Sequence, residues 1–236
     1  MQHEILITND DGIESPALAA LETALSHFGR VTVVAPDRER SAASHCITLH
    51  EPVVYHPLGS NRFAVQGTPA DCVIAALDRI LKEPPALVIS GVNRGLNVGD
   101  DIMYSGTVAA ASEAVLQGIP AIAVSASGFQ TSDYVSAAQV AARIAVRVLE
   151  EGLPPDVLLN VNYPAPCNGE FRLTRQGRRS AAVTNGHLTD CEAMAAGYVS
   201  ICPLQINRTA HAHFDHFNRW LEAGTLHHPL HFDPAR

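Results

Sequence analysis

The chain has 236 residues, 47% hydrophobic and 17% charged, with a formal net charge of −8. That length is enough to bury a sizeable core in one domain, and the acidic balance argues against a protein that grips a nucleic-acid polymer. Five cysteines, scattered and never spaced Cys-x-x-Cys, argue against a disulfide framework and a zinc-thiolate site. No apolar run is long enough to span a bilayer, and the start Met-Gln-His-Glu lacks a signal-peptide pattern, so no membrane association and a cytoplasmic location are expected.

His3–Thr8 reads as a buried strand that runs into Asn9-Asp10-Asp11-Gly12. Ser15-Pro16 opens a helix with Leu18, Leu21, Leu25 and Phe28 on one face and Gly29 as its stop. Val31–Ala35 is a second buried strand, and Ser41–Val65 is expected to form short strands or a hairpin. Thr68-Pro69-Ala70-Asp71 starts a helix with Asp71 as capping-box partner. Ala86–Ser90 is a strand, followed by a glycine-rich loop, a helix over Thr107–Gln117 and a strand at Ala121–Ser125. Asp133–Glu150 is a helix and Val157–Val161 a strand. Beyond Tyr163 the pattern loosens, with strands at Phe171–Thr174 and Gly197–Cys202 and a helix at His213–Leu221.

Repeated strand–helix alternation with apolar strands predicts an α/β fold, a Rossmann-like three-layer sandwich on a mostly parallel sheet. Residues 1–165 form the core of this reading, and residues 166–236 a smaller C-terminal elaboration.

In such sheets ligands bind beyond the carboxyl ends of the strands. Three strand ends carry polar loops: Asn9–Gly12, Pro36–Ser41 and Ser90–Asp101. Two carboxylates about 4 Å apart repel by roughly 4 kcal/mol at an effective dielectric near 20, a cost relieved by a proton or a cation. Asp10 and Asp11 with the Ser41 hydroxyl and the Asn93 amide oxygen make an oxygen-only set, which suits Mg²⁺ or Mn²⁺ better than zinc. An isolated Asn-Asp-Asp-Gly is otherwise a turn and a helix start. Ser105-Gly106-Thr107 opens a helix whose free N–H groups suit an anion, with Asn97 in the same loop, and this predicts phosphate binding by Asn97, Ser105, Gly106 and Thr107. N-capping alone is the competing role for Ser105 or Thr107. Gly91–Gly99 lacks both the Gly-x-Gly-x-x-Gly spacing and a Walker lysine, and no Gly-x-Ser-x-Gly elbow occurs. The C-terminal histidines are read as a solvated tail.

The stretches I-L-I-T-N-D-D-G-I, V-A-P-D-R-E-R-S-A-A-S-H, G-T-P-A-D-C and I-S-G-V-N-R-G-L-N-V-G-D-D-I-M-Y-S-G-T-V-A-A-A closely resemble the signature blocks of the SurE family, in family order. The resemblance runs from Ile5 to about Ser125 and resumes at Ala196–Ile201. It implies a 5′/3′-nucleotidase acting on nucleoside monophosphates and on short polyphosphate. It also implies one divalent metal per subunit held by Asp10, Asp11, Ser41 and Asn93. Asp10 and Asp11 are read as the catalytic residues, with Asp10 able to serve as ligand and as acceptor for the attacking water. The family is usually oligomeric, its C-terminal segments exchange between subunits, and the insert at Ser180–Leu188 is short here; a homodimer is therefore expected. Relatives often read Asp-x-Thr-Ala-His where this chain has Asn207-Arg208-Thr209-Ala210-His211, so His211 is a weak candidate for proton transfer. The alternatives are a non-catalytic, metal-dependent nucleotide-binding module and an aspartyl-phosphate phosphatase, although the latter class separates its two aspartates by one residue.

Overall fold

Apolar β-branched runs and capped helices alternate along the chain. In the computed structural model, which describes residues 3–178 and 186–222, they build a nine-stranded sheet covered by helices. β1 (His3–Thr8) sends Ile5 and Ile7 to one face and Leu6 to the other, all fully buried, as the two-residue period of a strand requires. α1 (Pro16–Leu25) packs Leu18, Leu21 and Leu25 into the core. Pro16 supplies a preset first turn, whereas Ser15 stands at the N-cap without a side-chain capping bond. Phe28 does not join the buried face. The helix ends at Leu25, and Phe28 stands beyond it at 42% exposure in the turn to β2 (Gly29–Pro36).

The expected hairpin occupies only β3 (Tyr55–Pro57) and β4 (Arg62–Val65), which pair antiparallel; the stretch from 41 to 54 has no strand. α2 (Pro69–Ala75) opens with the Thr68/Asp71 capping box and runs on into a π-helical turn, Ala76–Ile80. β5 (Leu87–Arg94) is longer than expected, so Asn93 lies within the strand. A 3₁₀ turn (Gly99–Met103) leads to α3 (Gly106–Leu116), β6 (Ala121–Ala126), α4 (Thr131–Glu151) and β7 (Val157–Tyr163). β8 (Phe171–Leu173), α5 (Asp190–Ala195) and β9 (Val199–Gln205) complete this unit.

The strand order is β3-β4-β2-β1-β5-β6-β7-β9-β8. From β4 to β7 neighbours are parallel, β9 is antiparallel to β7, and β8 runs parallel to β9. One face is sealed by α1 and α4 through residues such as Leu21, Ala138 and Ala145, and the other by α2 and α3 through Val73, Ala110 and Ala114. The mostly parallel three-layer α/β fold is the one expected. The first compact unit ends at Ile206 and takes in β8, α5 and β9, while Asn207 begins a second unit. In that second unit a 3₁₀ turn (His211–His213) precedes α6 (Phe214–Glu222). Most of the short segment Ser180–Leu188 and the tail histidines His227, His228 and His231 lie outside the described residues. Among the described residues, no helix is long and apolar enough to cross a membrane.

Candidate active site

β1 is the point at which the strand order reverses. The chain first grows toward β2 and β4, then returns to lay β5 on the other side of β1. Loops leaving β1 and β5 therefore diverge and open a crevice at their carboxyl ends. The loop after β2 closes against it. Arg40 N–H donates to the Asp10 carbonyl at 2.7 Å and Ile13 N–H to the Pro36 carbonyl at 2.8 Å. The Asn9 side chain staples the first loop, accepting from Gly12 N–H at 3.1 Å and donating to the Gly12 carbonyl at 3.0 Å. Gly12 has φ +99°, and a Cβ there would come within 3.0 Å of the Arg38 carbonyl carbon. Both the backbone conformation and the packing of the second loop thus call for glycine.

Asp10 is 4% exposed, and its Oδ1 accepts from the Thr107 hydroxyl at 2.6 Å. α3 begins directly against it: a Cβ on Gly106 would lie 2.9 Å from Asp10 Cβ and 3.0 Å from Oδ2. Burial pushes the Asp10 carboxyl above the usual carboxylate range; the Thr107 hydroxyl and backbone N–H pull it down, and the charge of Glu39 adds to the rise. Asp11 Oδ2 accepts from Arg94 N–H at 3.1 Å. Its carboxyl is pushed up to about 6, first by burial and then by the charge of Asp10, with the Arg94 N–H opposing. Ser41 donates its hydroxyl to Glu39 Oε1 at 2.7 Å. Asn93 gives its amide N–H to the Gly95 carbonyl at 2.9 Å, which turns its oxygen the other way.

These residues fit a hard divalent cation. The donors are all oxygens, and two adjacent, largely desolvated carboxylates both sit above their ordinary range, the state that a bound cation relieves. Among the described residues no group of three or more His, Cys, Asp and Glu is arranged for a metal.

The loop carrying Ser41 is held in an uncommon conformation, with Ala42 at φ +57° and Ser44 at φ +51°. Its anchors were not legible in the sequence. Ser44 donates N–H to the Tyr104 carbonyl at 3.0 Å and Oγ–H to the Met103 carbonyl at 2.8 Å. His45 Nε2 meets Glu113 Oε2 at 2.9 Å, and this bond holds the Glu113 carboxyl below its usual range. Thr48 donates N–H and hydroxyl to Asp71 at 2.9 and 2.7 Å, so the helix-capping aspartate also ties down this loop.

The residues expected to hold phosphate are placed less simply. Ser105 is the N-cap, accepting from Val108 N–H at 3.0 Å, and its own hydroxyl hydrogen remains available to donate. The Thr107 hydroxyl, expected to serve phosphate, is directed at Asp10 because α3 starts in contact with that carboxylate. Asn97 is buried in a network: its N–H donates to Asn162 Oδ1 at 2.9 Å and its Nδ2 to Ser125 Oγ at 2.8 Å. Its carbonyl accepts from Asn160 and Asn162 at 2.8 and 3.0 Å. Asn160 and Asn162 lie in an apolar strand, where no motif or spacing marks a role.

Residues 5–207 match the family profile described as Survival protein SurE. The chain is 45% identical to 5′-nucleotidase SurE of Syntrophotalea carbinolica, over 92% of this chain and 96% of that protein. It is 44% identical to the protein of that name from Geobacter sulfurreducens, over 92% and 93%. Among solved structures it resembles the SurE protein from Aquifex aeolicus, with a TM-score of 0.84 and 37% identity over 93% of this chain and 99% of that one. A profile that covers most of the chain, relatives matched nearly end to end and a shared fold place this protein in the SurE family.

Proposed function

We propose that the protein is a divalent-metal-dependent phosphatase that hydrolyses nucleoside monophosphates. The observation that carries this reading is the pair Asp10 and Asp11 at the β1/β5 crevice, backed by the start of α3. The names of the relatives, 5′-nucleotidase SurE, support it. Asp10, Asp11, Ser41 and Asn93 would hold Mg²⁺ or Mn²⁺, one ion per subunit, which supplies charge neutralisation at the phosphoryl oxygens and a more acidic water. Water oxygen bonds to phosphorus, the ester P–O bond breaks, and a proton goes to the departing nucleoside oxygen. Asp10 Oδ1 is fixed by Thr107, which leaves Oδ2 to accept from and orient the attacking water. The Gly106 N–H and the Ser105 hydroxyl are donors suited to the phosphate, with Asn97 shaping the loop beside them. Short polyphosphate would use the same groups.

The resemblance also supports a cytoplasmic homodimer in which residues 166–236 supply contacts to the second subunit. Nucleoside monophosphates and p-nitrophenyl phosphate should be hydrolysed with Mn²⁺ or Mg²⁺ and not in chelator, and Asp10→Ala should abolish turnover in a folded protein. Metal-dependent nucleotide binding without turnover would favour a binding module, and a trapped phosphoenzyme an aspartyl-phosphate route. Light scattering that gives a monomer would remove the dimer.

A further inference from the structure

Arg94 ends β5, and its main chain and side chain face different neighbours. Its N–H donates to Asp11 Oδ2 at 3.1 Å, which ties the backbone to the aspartate pair. Its exposed side chain turns toward the next strand end. Arg94 pairs with Ala126 of β6, and its guanidinium carbon lies 5.5 Å from the centre of the Phe129 ring, three residues further on. That distance is within the range of a cation–π contact.

The ring is held in place although it is 61% exposed. On one side of it Ser127 N–H donates to the Tyr163 carbonyl at 3.0 Å. On the other, Gln130 N–H donates to Asp133 Oδ2 at 3.0 Å, in the capping box that opens α4. A Cβ on Gly128 would lie 2.0 Å from Asp133 Oδ2, so glycine is what lets the loop close this tightly. Phe129 is thus a fixed seat for the guanidinium.

The charge of Arg94 is otherwise uncompensated. Among the described residues Arg30, Arg40, Arg62, Arg147 and Arg172 each bridge a carboxylate, and no such bridge holds Arg94. The crevice beside it is short of positive charge. Asp10, Asp11 and Glu39 act on one another there, and a divalent ion offsets no more than two of those carboxylates. The Asp11 carboxyl, raised by burial and by Asp10, is drawn down by the charge of Arg94, so the guanidinium is within electrostatic reach of the crevice. It reaches in from a separate side. α3, whose start meets Asp10, covers one face of the sheet, and α4, which Phe129 precedes, covers the other. Successive side chains of a strand alternate, so Arg94 also stands on the face opposite Asn93.

We infer that Arg94, seated on Phe129, is a specificity-determining residue that receives a second phosphate, one adjoining the phosphate that is removed. The inference rests on the phosphatase reading. A simple monophosphate ester offers this cation nothing, whereas an oligophosphate presents an anionic group beside the reacting phosphorus. A planar guanidinium suits phosphate oxygens, and its stacking on a fixed ring reduces the freedom lost on binding.

The ratio of kcat/KM for tripolyphosphate to that for p-nitrophenyl phosphate, with Mn²⁺ in excess of both, reads this contact. Arg94→Ala should lower the ratio about fivefold, the size of an exposed ion pair, and the difference should shrink at high salt. Arg94→Lys should recover part of it, because the charge returns without the planar stack. Phe129→Leu should lower the ratio in the same direction and add nothing to Arg94→Ala. Both side chains are exposed, so circular dichroism and Tm should match the parent. An unchanged ratio overturns the assignment, and so does equal loss on both substrates, which would make Arg94 a general attractor of anions. Additive effects of the two substitutions overturn the role of Phe129 as its seat. Failure of the unaltered protein to hydrolyse either substrate overturns the phosphatase reading instead. Calorimetric binding of tripolyphosphate with Mn²⁺, weaker in Arg94→Ala or equal to the parent, then decides the second-phosphate contact by itself.

Discussion

Replacing Asp11 with Asn removes one of two adjacent charges but keeps an oxygen able to accept the Arg94 N–H, now accepted at 3.1 Å. In the metal-free fold the Asp11 carboxyl rises from 3.8 to about 6, mainly through burial and then through the charge of Asp10. That rise corresponds to roughly 3 kcal/mol against the ionised fold, and solvent screening of a partly exposed group reduces it to about 1–2 kcal/mol. Above pH 6 the group is ionised in both folded and unfolded chains, and the whole penalty falls on the fold. As the pH drops from about 6 toward 3.8 the folded protein takes up the proton first, and the penalty disappears. Urea unfolding in chelator should therefore find Asp11→Asn more stable than the parent at pH 8, with the gap reduced to about a third at pH 4.5. Excess Mn²⁺ should reverse the order at pH 8, because a ligand at a hundredfold over its Kd adds about 2.7 kcal/mol to a fold that binds it. A variant less stable than the parent in chelator at pH 8, or a gap independent of pH, would refute the reasoning.

Thr107→Val removes the hydroxyl that donates to Asp10 and should weaken Mn²⁺ binding by calorimetry, with Thr107→Ser restoring it; unchanged Mn²⁺ affinity with weaker inhibition by phosphate would return the hydroxyl to the substrate. Ala42→Gly should stabilise the protein by up to ~1 kcal/mol in urea unfolding, since Ala42 has φ +57° and only glycine takes that region freely. His45→Ala should cost about 1 kcal/mol and loosen the Ser41 loop, read as faster amide exchange there. Glu113 is held below its usual range by His45, so its contribution is full above pH 4.5 and lost as acid protonates it. Glu113→Gln should accordingly flatten the acid limb of the stability profile, and an unchanged limb would show that the pair carries no weight.

The strands and the main helices were legible because their causes are local. Buried parallel strands read as apolar runs, and the Thr68/Asp71 box announces α2 within four residues. The two aspartates were legible for the same reason, since a charged pair at the end of an apolar strand is visible wherever that strand finally lies. α5 carries an equally local signal, the Thr189/Glu192 box, but with six residues it is too short to show a helical period. What the sequence withheld is what crosses the crevice. Thr107 meets Asp10 across 97 positions and His45 meets Glu113 across 68, and neither pairing has a spacing rule. Each exists only because β5 lies on the far side of β1 from β2, which brings the start of α3 over the first loop. Asn160 and Asn162 make the same point from within a strand. Inside an apolar run they look like polar interruptions, and their purpose appears only when the segment after β5 arrives with the Asn97 carbonyl for both of them to hold. Local chemistry thus names the groups that react, and the crossover order decides which neighbours tune them.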